Sequence, residues 1–211
     1  KVTPLGQGFF TDISDQSGIR AGNYTPMPPT AIPINDHSRL GFVDLNGDGY
    51  DDIVMHSLFP NPLKGIPFEH LVFLNNRDGT FRDFSDESGL RHLQEGFLVF
   101  GDIDNEGDED AFAGLDIPLA GQTHQILLND GQGHFTAKVG AGVETAMGQD
   151  TVTGNALFAD FNRDGRLDLY LGNGQTGYAA ADQLFFGNGD GTFSEVTATR
   201  LVGKNPERPT N

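Results

Sequence analysis

One acidic loop of nine residues occurs three times in this chain at a constant spacing. The copies read DLNGDGYDD from Asp44, DIDNEGDED from Asp102 and DFNRDGRLD from Asp160, so successive copies begin 58 residues apart. A fixed period slightly above the 20–50-residue range indicates a repeat architecture built from one supersecondary unit. The chain is therefore expected to fold as three copies of a unit that includes this loop.

The spacing of oxygen-bearing side chains within the loop predicts a site for a hard cation. Side-chain oxygens fall at positions 1, 3, 5 and 9 of every copy, and position 6 is always glycine, which permits a sharp turn. Calcium takes six to eight oxygen ligands at about 2.3–2.6 Å and tolerates irregular geometry. Position 7 varies (Tyr50, Asp108, Arg166), as expected if it binds through its backbone carbonyl. The predicted side-chain ligands are Asp44, Asn46, Asp48 and Asp52; Asp102, Asp104, Glu106 and Asp110; and Asp160, Asn162, Asp164 and Asp168.

Other interpretations of the loop explain the sequence less well. An EF-hand shares the D-x-[DN]-x-[DN]-G opening but needs a bidentate glutamate at position 12, where this chain has Met55, Ala113 and Leu171. The absence of Cys and His from the loops argues against zinc, and magnesium demands stricter octahedral geometry. A solvated turn rich in Asp, Asn and Gly explains a single copy. Three clusters that together hold ten carboxylates would repel internally without a cation.

A hairpin motif follows each acidic loop. HLVFLNNRDGTF (70–81), HQILLNDGQGHF (124–135) and DQLFFGNGDGTF (182–193) each place an apolar strand before a glycine-containing turn that ends in phenylalanine, as is typical of β-hairpins. One unit therefore contains a strand, the acidic loop, a second strand, a variable excursion and two hairpin strands. Four antiparallel strands in each unit predict a β-propeller blade.

The sequence thus predicts an all-β chain in which residues 1–211 form one propeller segment. Four-stranded antiparallel blades are predicted at 38–87, 96–140 and 154–200, and residues 6–19 are predicted to be the outer strand of a preceding blade. The last prediction rests on GQGFFTDISDQSGI (6–19), which matches GQGHFTAKVGAGV (131–143) and FRDFSDESGL (81–90).

These motifs resemble a known family. The D-x-[DN]-x-[DE]-G-x-x-D loops between strands look like those of FG-GAP or VCBS repeats, in β-propellers related to the integrin α-chain head. The phrases FTDISDQSGI and FRDFSDESGL look like the secreted propellers of the ASPIC/UnbV and cartilage-acidic-protein type. The resemblance implies blades stabilised by Ca²⁺ at three sites, and extracellular recognition or adhesion. Glu106, where Asp or Asn is more usual, is the mildest departure from the pattern.

The number of blades is a larger departure. Closed propellers typically have four to eight blades, whereas this sequence contains three and one strand of another. Three interpretations follow: the chain is a piece of a longer propeller, it closes a ring with other chains, or its blades stack as an open array. Exposed strand edges promote aggregation, so a fragment or an assembled form is favoured over a free monomer.

Composition excludes several classes of function. A formal net charge of −17 argues against nucleic-acid binding, which needs a positive surface. No apolar stretch approaches 18 residues, so no membrane span is predicted. The chain has no cysteine, which excludes disulfides and thiol chemistry. The start at Lys1, without a signal-like region, is expected of a processed or trimmed chain.

The predicted function is a calcium-binding module for protein interaction, adhesion or self-assembly, secreted or at the cell surface. Extracellular calcium modules bind at roughly 10⁻⁴–10⁻³ M, which matches calcium levels outside cells. The alternative is calcium-dependent, lectin-like carbohydrate binding, since Tyr24, Phe59 and Tyr178 lie in predicted blade loops and can stack on sugars. The ligand is then a protein or a glycan.

No enzymatic activity is predicted. The sequence contains no G-x-S-x-G nucleophile elbow, no H-E-x-x-H helix and no phosphate loop. His70 and His124 occupy equivalent positions of the repeat, where Asp182 is the third member, and this repetition favours a structural role. Most of the paired carboxylates lie within the acidic loops, where ionised calcium ligands cannot act as acids.

Overall fold

The computed structural model describes residues 11–19, 37–57, 69–116, 121–144, 153–174 and 181–201. These segments contain twelve β-strands, which form three four-stranded antiparallel sheets, and one short helix. The predicted all-β fold with three four-stranded sheets is confirmed. None of the helical structure in these segments is long and apolar enough to cross a membrane.

Each sheet is a meander in which every strand pairs with the next strand along the chain. Blade 1 comprises β1 (His37–Val43), β2 (Asp52–Ser57), β3 (His70–Asn75) and β4 (Phe81–Asp83). Blade 2 comprises β5 (Phe97–Gly101), β6 (Asp110–Gly114), β7 (Gln125–Asn129) and β8 (Phe135–Ala137). Blade 3 comprises β9 (Thr153–Ala159), β10 (Asp168–Asn173), β11 (Gln183–Gly187) and β12 (Phe193–Glu195), followed by α1 (Thr197–Arg200). The three sheets form a partial propeller.

The acidic loops occupy the same place in every blade. Each loop joins the first strand to the second, and the antiparallel register pairs the residue before the loop with the aspartate at position 9. The pairs are Val43 with Asp52, Gly101 with Asp110 and Ala159 with Asp168. The loop is therefore a tight connection between two paired strands, which excludes the helix–loop–helix geometry of an EF-hand.

Two of the three apolar clusters in the described residues lie between neighbouring blades, and the third contains Met55, Leu71 and Phe73 of blade 1. Leu45 and Val72 of blade 1 pack in one cluster with Leu127 of blade 2, and Ile103 and Phe112 of blade 2 pack in another with Phe185 of blade 3. Burying an aliphatic or aromatic side chain contributes about 1.5–3 kcal/mol. Because each blade buries one face against the next, the stability of each blade depends on its neighbours.

A turn that follows the fourth strand links blade 1 to blade 2 and blade 2 to blade 3. The backbone N–H of Phe135 donates to the carbonyl of Ser88 at 2.8 Å, and that of Phe193 donates to Ala141 at 2.7 Å. The N–H of Phe81 makes the same bond to Ser17, at 2.8 Å. We call the turns after β4 and β8 exit turns. Residues 11–19 therefore contact blade 1 in the same way as the exit turn of blade 1 contacts blade 2 and the exit turn of blade 2 contacts blade 3. Residues 6–10 of the predicted outer strand lie outside the described residues, and residues 14–18 form turns and bends.

A buried histidine joins blade 2 to blade 3. The Nδ1 atom of His124 accepts a hydrogen bond from the Leu115 N–H at 3.0 Å, and Nε2 lies 2.9 Å from the hydroxyl of Thr153. That hydroxyl donates to Oδ1 of Asn173 at 2.7 Å, so it accepts from Nε2–H. Both ring nitrogens are therefore satisfied when the imidazole is neutral. Burial lowers the pKa of His124 to about 4.

Acidification is expected to weaken the fold through His124. The folded-state pKa lies below the ordinary value of 6.5, so between these pH values the unfolded chain binds a proton that the folded chain does not. The stabilisation is fully present above pH 6.5, declines as the pH falls and is lost below about 4; it amounts to at most about 3 kcal/mol. Urea unfolding of wild type and His124→Gln, at several pH values over this range and fixed calcium, measures the effect.

His124→Gln should be less stable near neutrality and show a shallower pH dependence, whereas replacement of the exposed His92 by Gln should keep the wild-type dependence. Equal slopes in the two variants would contradict the assignment.

Candidate metal centres

The aspartate at position 9 of each loop is fully buried and holds the loop to the sheet. One carboxylate oxygen accepts the N–H of loop position 2, at 2.9–3.0 Å, and the other accepts an N–H at the end of the third strand, at 2.7–3.0 Å. The three sets are Asp52 with Leu45 and Asn75, Asp110 with Ile103 and Asn129, and Asp168 with Phe161 and Gly187. The loop motif predicts these residues as metal ligands but does not predict this second role. Each oxygen keeps a lone pair for a cation.

The other predicted ligands accept hydrogen bonds from the loop's own backbone. Position 1 accepts the N–H of the glycine at position 6: the distances are 2.7 Å from Asp44 to Gly49, 3.2 Å from Asp102 to Gly107 and 3.0 Å from Asp160 to Gly165. Position 3 accepts the N–H of position 5 in the pairs Asn46 with Asp48, Asp104 with Glu106, and Asn162 with Asp164. The backbone thus wraps around the side-chain oxygens in all three copies.

The second loop brings its carboxylates closest together. Asp102, Asp104 and Asp110 have ligand oxygens within 4.8 Å of one another, and in the described part of the chain no other set of three acidic or histidine side chains does so. Oδ1 of Asp102 is buried without a hydrogen-bond partner. Glu106, the predicted fourth side-chain ligand, is exposed and lies outside this group.

Negative charge in the second loop is not compensated by any arginine or lysine that the structure describes. Burial raises the pKa of Asp110 to about 6. Burial, together with repulsion from Asp104, Asp102 and Glu106, also raises the pKa of Asp108. Among the described residues, no arginine or lysine forms an ion pair with the carboxylates of this loop. The ionised loop is therefore strained electrostatically, and a bound cation would relieve that strain.

Arginines sit beside the first and third loops. The guanidinium of Arg77 lies 3.0 Å from Oδ2 of Asp48 and over the ring of Tyr50, and that of Arg166 lies 3.0 Å from Oδ2 of Asp164. The hydrogen bond from Arg166 lowers the pKa of Asp164. The three loops, which look equivalent in sequence, therefore differ in charge at position 5. The expectation that the carbonyls of Tyr50, Asp108 and Arg166 are ligands stays a prediction.

Comparison with known families agrees with this geometry. Residues 160–210 match the model of the FG-GAP-like repeat, from the first aspartate of the third loop through β10, β11 and β12. This part of the chain is similar to an FG-GAP-like repeat. The antiparallel four-stranded sheets fit an FG-GAP propeller-like repeat, so the resemblance to FG-GAP repeats is confirmed. The buried aspartate bonds of the FG-GAP-like repeat recur in blades 1 and 2. No curated protein matches the chain.

Proposed function

We propose that this chain is a calcium-binding, propeller-type module that binds protein partners outside the cell. The observation that carries the calcium proposal is the convergence of Asp102, Asp104 and Asp110 within 4.8 Å, beside a buried Asp102 oxygen without a hydrogen-bond partner. An all-oxygen, multi-carboxylate donor set suits calcium better than zinc or copper, which favour nitrogen and sulfur. The residues present therefore fit the ion that the resemblance implies.

The chain's own residues define what a cation would do at this loop. Asp110 ties the loop to β7 through the Asn129 N–H, and Asp102 holds the turn at Gly107. A calcium ion, when bound, supplies the positive charge that offsets repulsion among these carboxylates. Because one of its ligands is part of the sheet, occupancy of the loop is linked to pairing of β6 with β7.

The three loops are expected to differ in affinity. In the first and third loops a cation must displace or reposition Arg77 or Arg166 from the carboxylate at position 5. The second loop has no such competitor among the described residues. We therefore propose three calcium sites, of which the second fills first.

Isothermal titration of the full chain with calcium tests this proposal. We expect three binding events, with the tightest at roughly 10⁻⁴ M or below. Asp104→Ala removes a ligand of the second site and should abolish the tightest event or weaken it at least tenfold. Asp86→Ala, which removes a carboxylate exposed outside the loops, should leave all three events unchanged. Absence of binding by wild type at millimolar calcium would overturn the calcium proposal.

The role in partner binding rests on the FG-GAP-like repeat, a propeller-type module suited to protein interaction. Extracellular action is proposed because loops of this kind bind calcium at concentrations found outside cells.

The proposed role is binding rather than catalysis: the buried Asp52, Asp110, Asp168 and His124 all have hydrogen bonds that hold the fold. Tyr24, Phe59 and Tyr178, on which the carbohydrate alternative rests, lie outside the described residues.

A further inference from the structure

One side chain of blade 2 links the first acidic loop to the second. Asn129, at the end of β7, donates from Nδ2 to the carbonyl of Leu45 in the first loop at 2.8 Å, and to the carbonyl of Glu109 in the second loop at 3.1 Å. Its Oδ1 accepts the Gly133 N–H at 3.0 Å. Both amide protons and the amide oxygen are therefore in use, which fixes the side chain in one orientation between the two loops.

The backbone of Asn129 completes a chain of hydrogen bonds between two predicted calcium ligands. Its N–H donates to Oδ1 of Asp110, the position-9 aspartate of the second loop, at 2.9 Å. The N–H of Leu45 donates to Oδ2 of Asp52, the position-9 aspartate of the first loop, at 3.0 Å. Asp52, Leu45 and Asp110 are fully buried. The two carboxylates are thus connected through three hydrogen bonds, of which Asn129 makes two.

The hairpin turn that follows Asn129 lies close to both loops. The Gly131 carbonyl oxygen is 4.0 Å from where a Cβ on Gly47 of the first loop would stand. Oδ2 of Asp108 in the second loop is 3.2 Å from where a Cβ on Gly131 would stand. Because folded proteins are close-packed, movement of either loop is resisted by the same hairpin.

The equivalent residues of the other blades do not make this link. The backbone N–H groups of Asn75, Asn129 and Gly187 make the same bond to the position-9 aspartate of their own blade. Gly187 has no side chain that could donate to Ile103, the position-2 residue of the second loop. Asn75 donates from Nδ2 to the Asp51 carbonyl of its own loop at 3.1 Å, and in the described residues it reaches no other loop. Only the first and second loops are therefore bridged by a side chain at this position in the part of the chain that the structure describes.

We propose that Asn129 is a positioning residue that couples calcium binding at the first and second loops, so that a cation in either loop raises the affinity of the other, while the third loop binds independently. This coupling rests on the calcium binding proposed above and describes its regulation. Ordering a loop costs conformational entropy, and a loop already held through Asn129 has less entropy to lose when it binds. Hydrogen-bond networks and packed elements carry coupling of this kind.

Isothermal titration of full-length loop variants with calcium measures the coupling. Asp164→Ala disables the third loop and gives a two-loop chain. Adding Asp48→Ala or Asp104→Ala leaves only the second or only the first loop. The coupling factor is the product of the two association constants of the two-loop chain, divided by the product of the constants of the two single-loop chains. We expect a factor of about 5 or more.

Asn129→Ala, introduced into the same three chains, should bring the coupling factor close to one. Asn129→Gly, which gives blade 2 the residue found in blade 3, should do the same. Calcium binding by the single-loop chains shows that these variants are folded. Asn75→Ala is the matched control: it removes the equivalent amide of blade 1, so it can weaken the first loop by itself but should leave the coupling factor at its wild-type value.

The third loop supplies an internal comparison. In chains that keep the second and third loops, made with Asp48→Ala, the coupling factor should be close to one even with Asn129 in place. A factor close to one for the first and second loops would overturn the coupling and leave the calcium proposal standing. A factor that stays high in Asn129→Ala, or that falls equally in Asn75→Ala, would overturn the role of Asn129. Absence of binding by wild type and by the two-loop chain would overturn the calcium proposal and the coupling together.

Discussion

Chelation of calcium is expected to lower the free energy of unfolding of this chain by about 4 kcal/mol. A site with a dissociation constant ten times below the free calcium concentration contributes about 1.4 kcal/mol, and the chain has three candidate loops. For a chain of this size the loss corresponds to a fall in Tm of roughly 10 °C. Thermal unfolding followed by circular dichroism, with chelator or with about 1 mM calcium, measures the effect.

The structure indicates how the loss is distributed among the loops. After chelation, Arg77 and Arg166 remain beside Asp48 and Asp164. In the described residues, no arginine or lysine pairs with the carboxylates of the second loop, so removal of calcium leaves their charge uncompensated. Asp104→Ala should therefore remove the largest single part of the calcium-dependent rise in Tm, and Asp86→Ala should remove none. Equal melting curves with and without chelator would contradict a structural role for calcium.

Replacing Gly142 with alanine is expected to destabilise the fold by about 3 kcal/mol. Gly142 has φ +88°, in the left-handed region, and a Cβ there would stand 2.3 Å from the Phe193 carbonyl oxygen of β12. The left-handed backbone costs a non-glycine residue about 1–2 kcal/mol. Displacing the β12 backbone adds about 1–3 kcal/mol. Urea unfolding at fixed calcium measures the sum.

Gly140 supplies a matched control two residues away. Its φ is +74°, but no atom lies within 4 Å of a Cβ placed on it, so Gly140→Ala should cost only the backbone part, about 1–2 kcal/mol. The difference between the two variants isolates the contact between the exit turn and the next blade. Equal losses would show that this contact is loose, and the proposed dependence of blade 2 on blade 3 would fail with it.

The sequence predicted the strands and sheets correctly where a local motif repeats. Three acidic loops and three hairpin motifs predicted three four-stranded sheets, because strand pairing across tight connections depends on residues close together in the chain. The position-9 aspartates were found as candidate ligands. Their hydrogen bonds to Asn75, Asn129 and Gly187 were not predicted, since these partners lie 19–23 residues away and act through backbone groups that a side-chain motif does not record.

The difference in charge compensation among the three loops could not be predicted from the sequence either. Arg77 approaches Asp48 from a hairpin 29 residues further along the chain, and Arg166 folds back on Asp164 from position 7 of its own loop. Neither contact follows from the D-x-[DN]-x-[DE]-G-x-x-D spacing. The pKa of Asp110, raised to about 6 by burial, depends on how deeply this side chain is buried in the folded chain.

The sequence by itself determined the repeating unit, its all-β character and the oxygen-rich chemistry of its loops, because periodicity and residue type are local properties. Only the tertiary structure decided which copies of an equivalent residue are covered. Leu45, Ile103 and Phe161 hold the same place in the motif, yet the first two are buried and the third is half exposed. Burial is set by the neighbouring blade rather than by the residue's own strand, and that contact lies between repeats, where the motif carries no record of it.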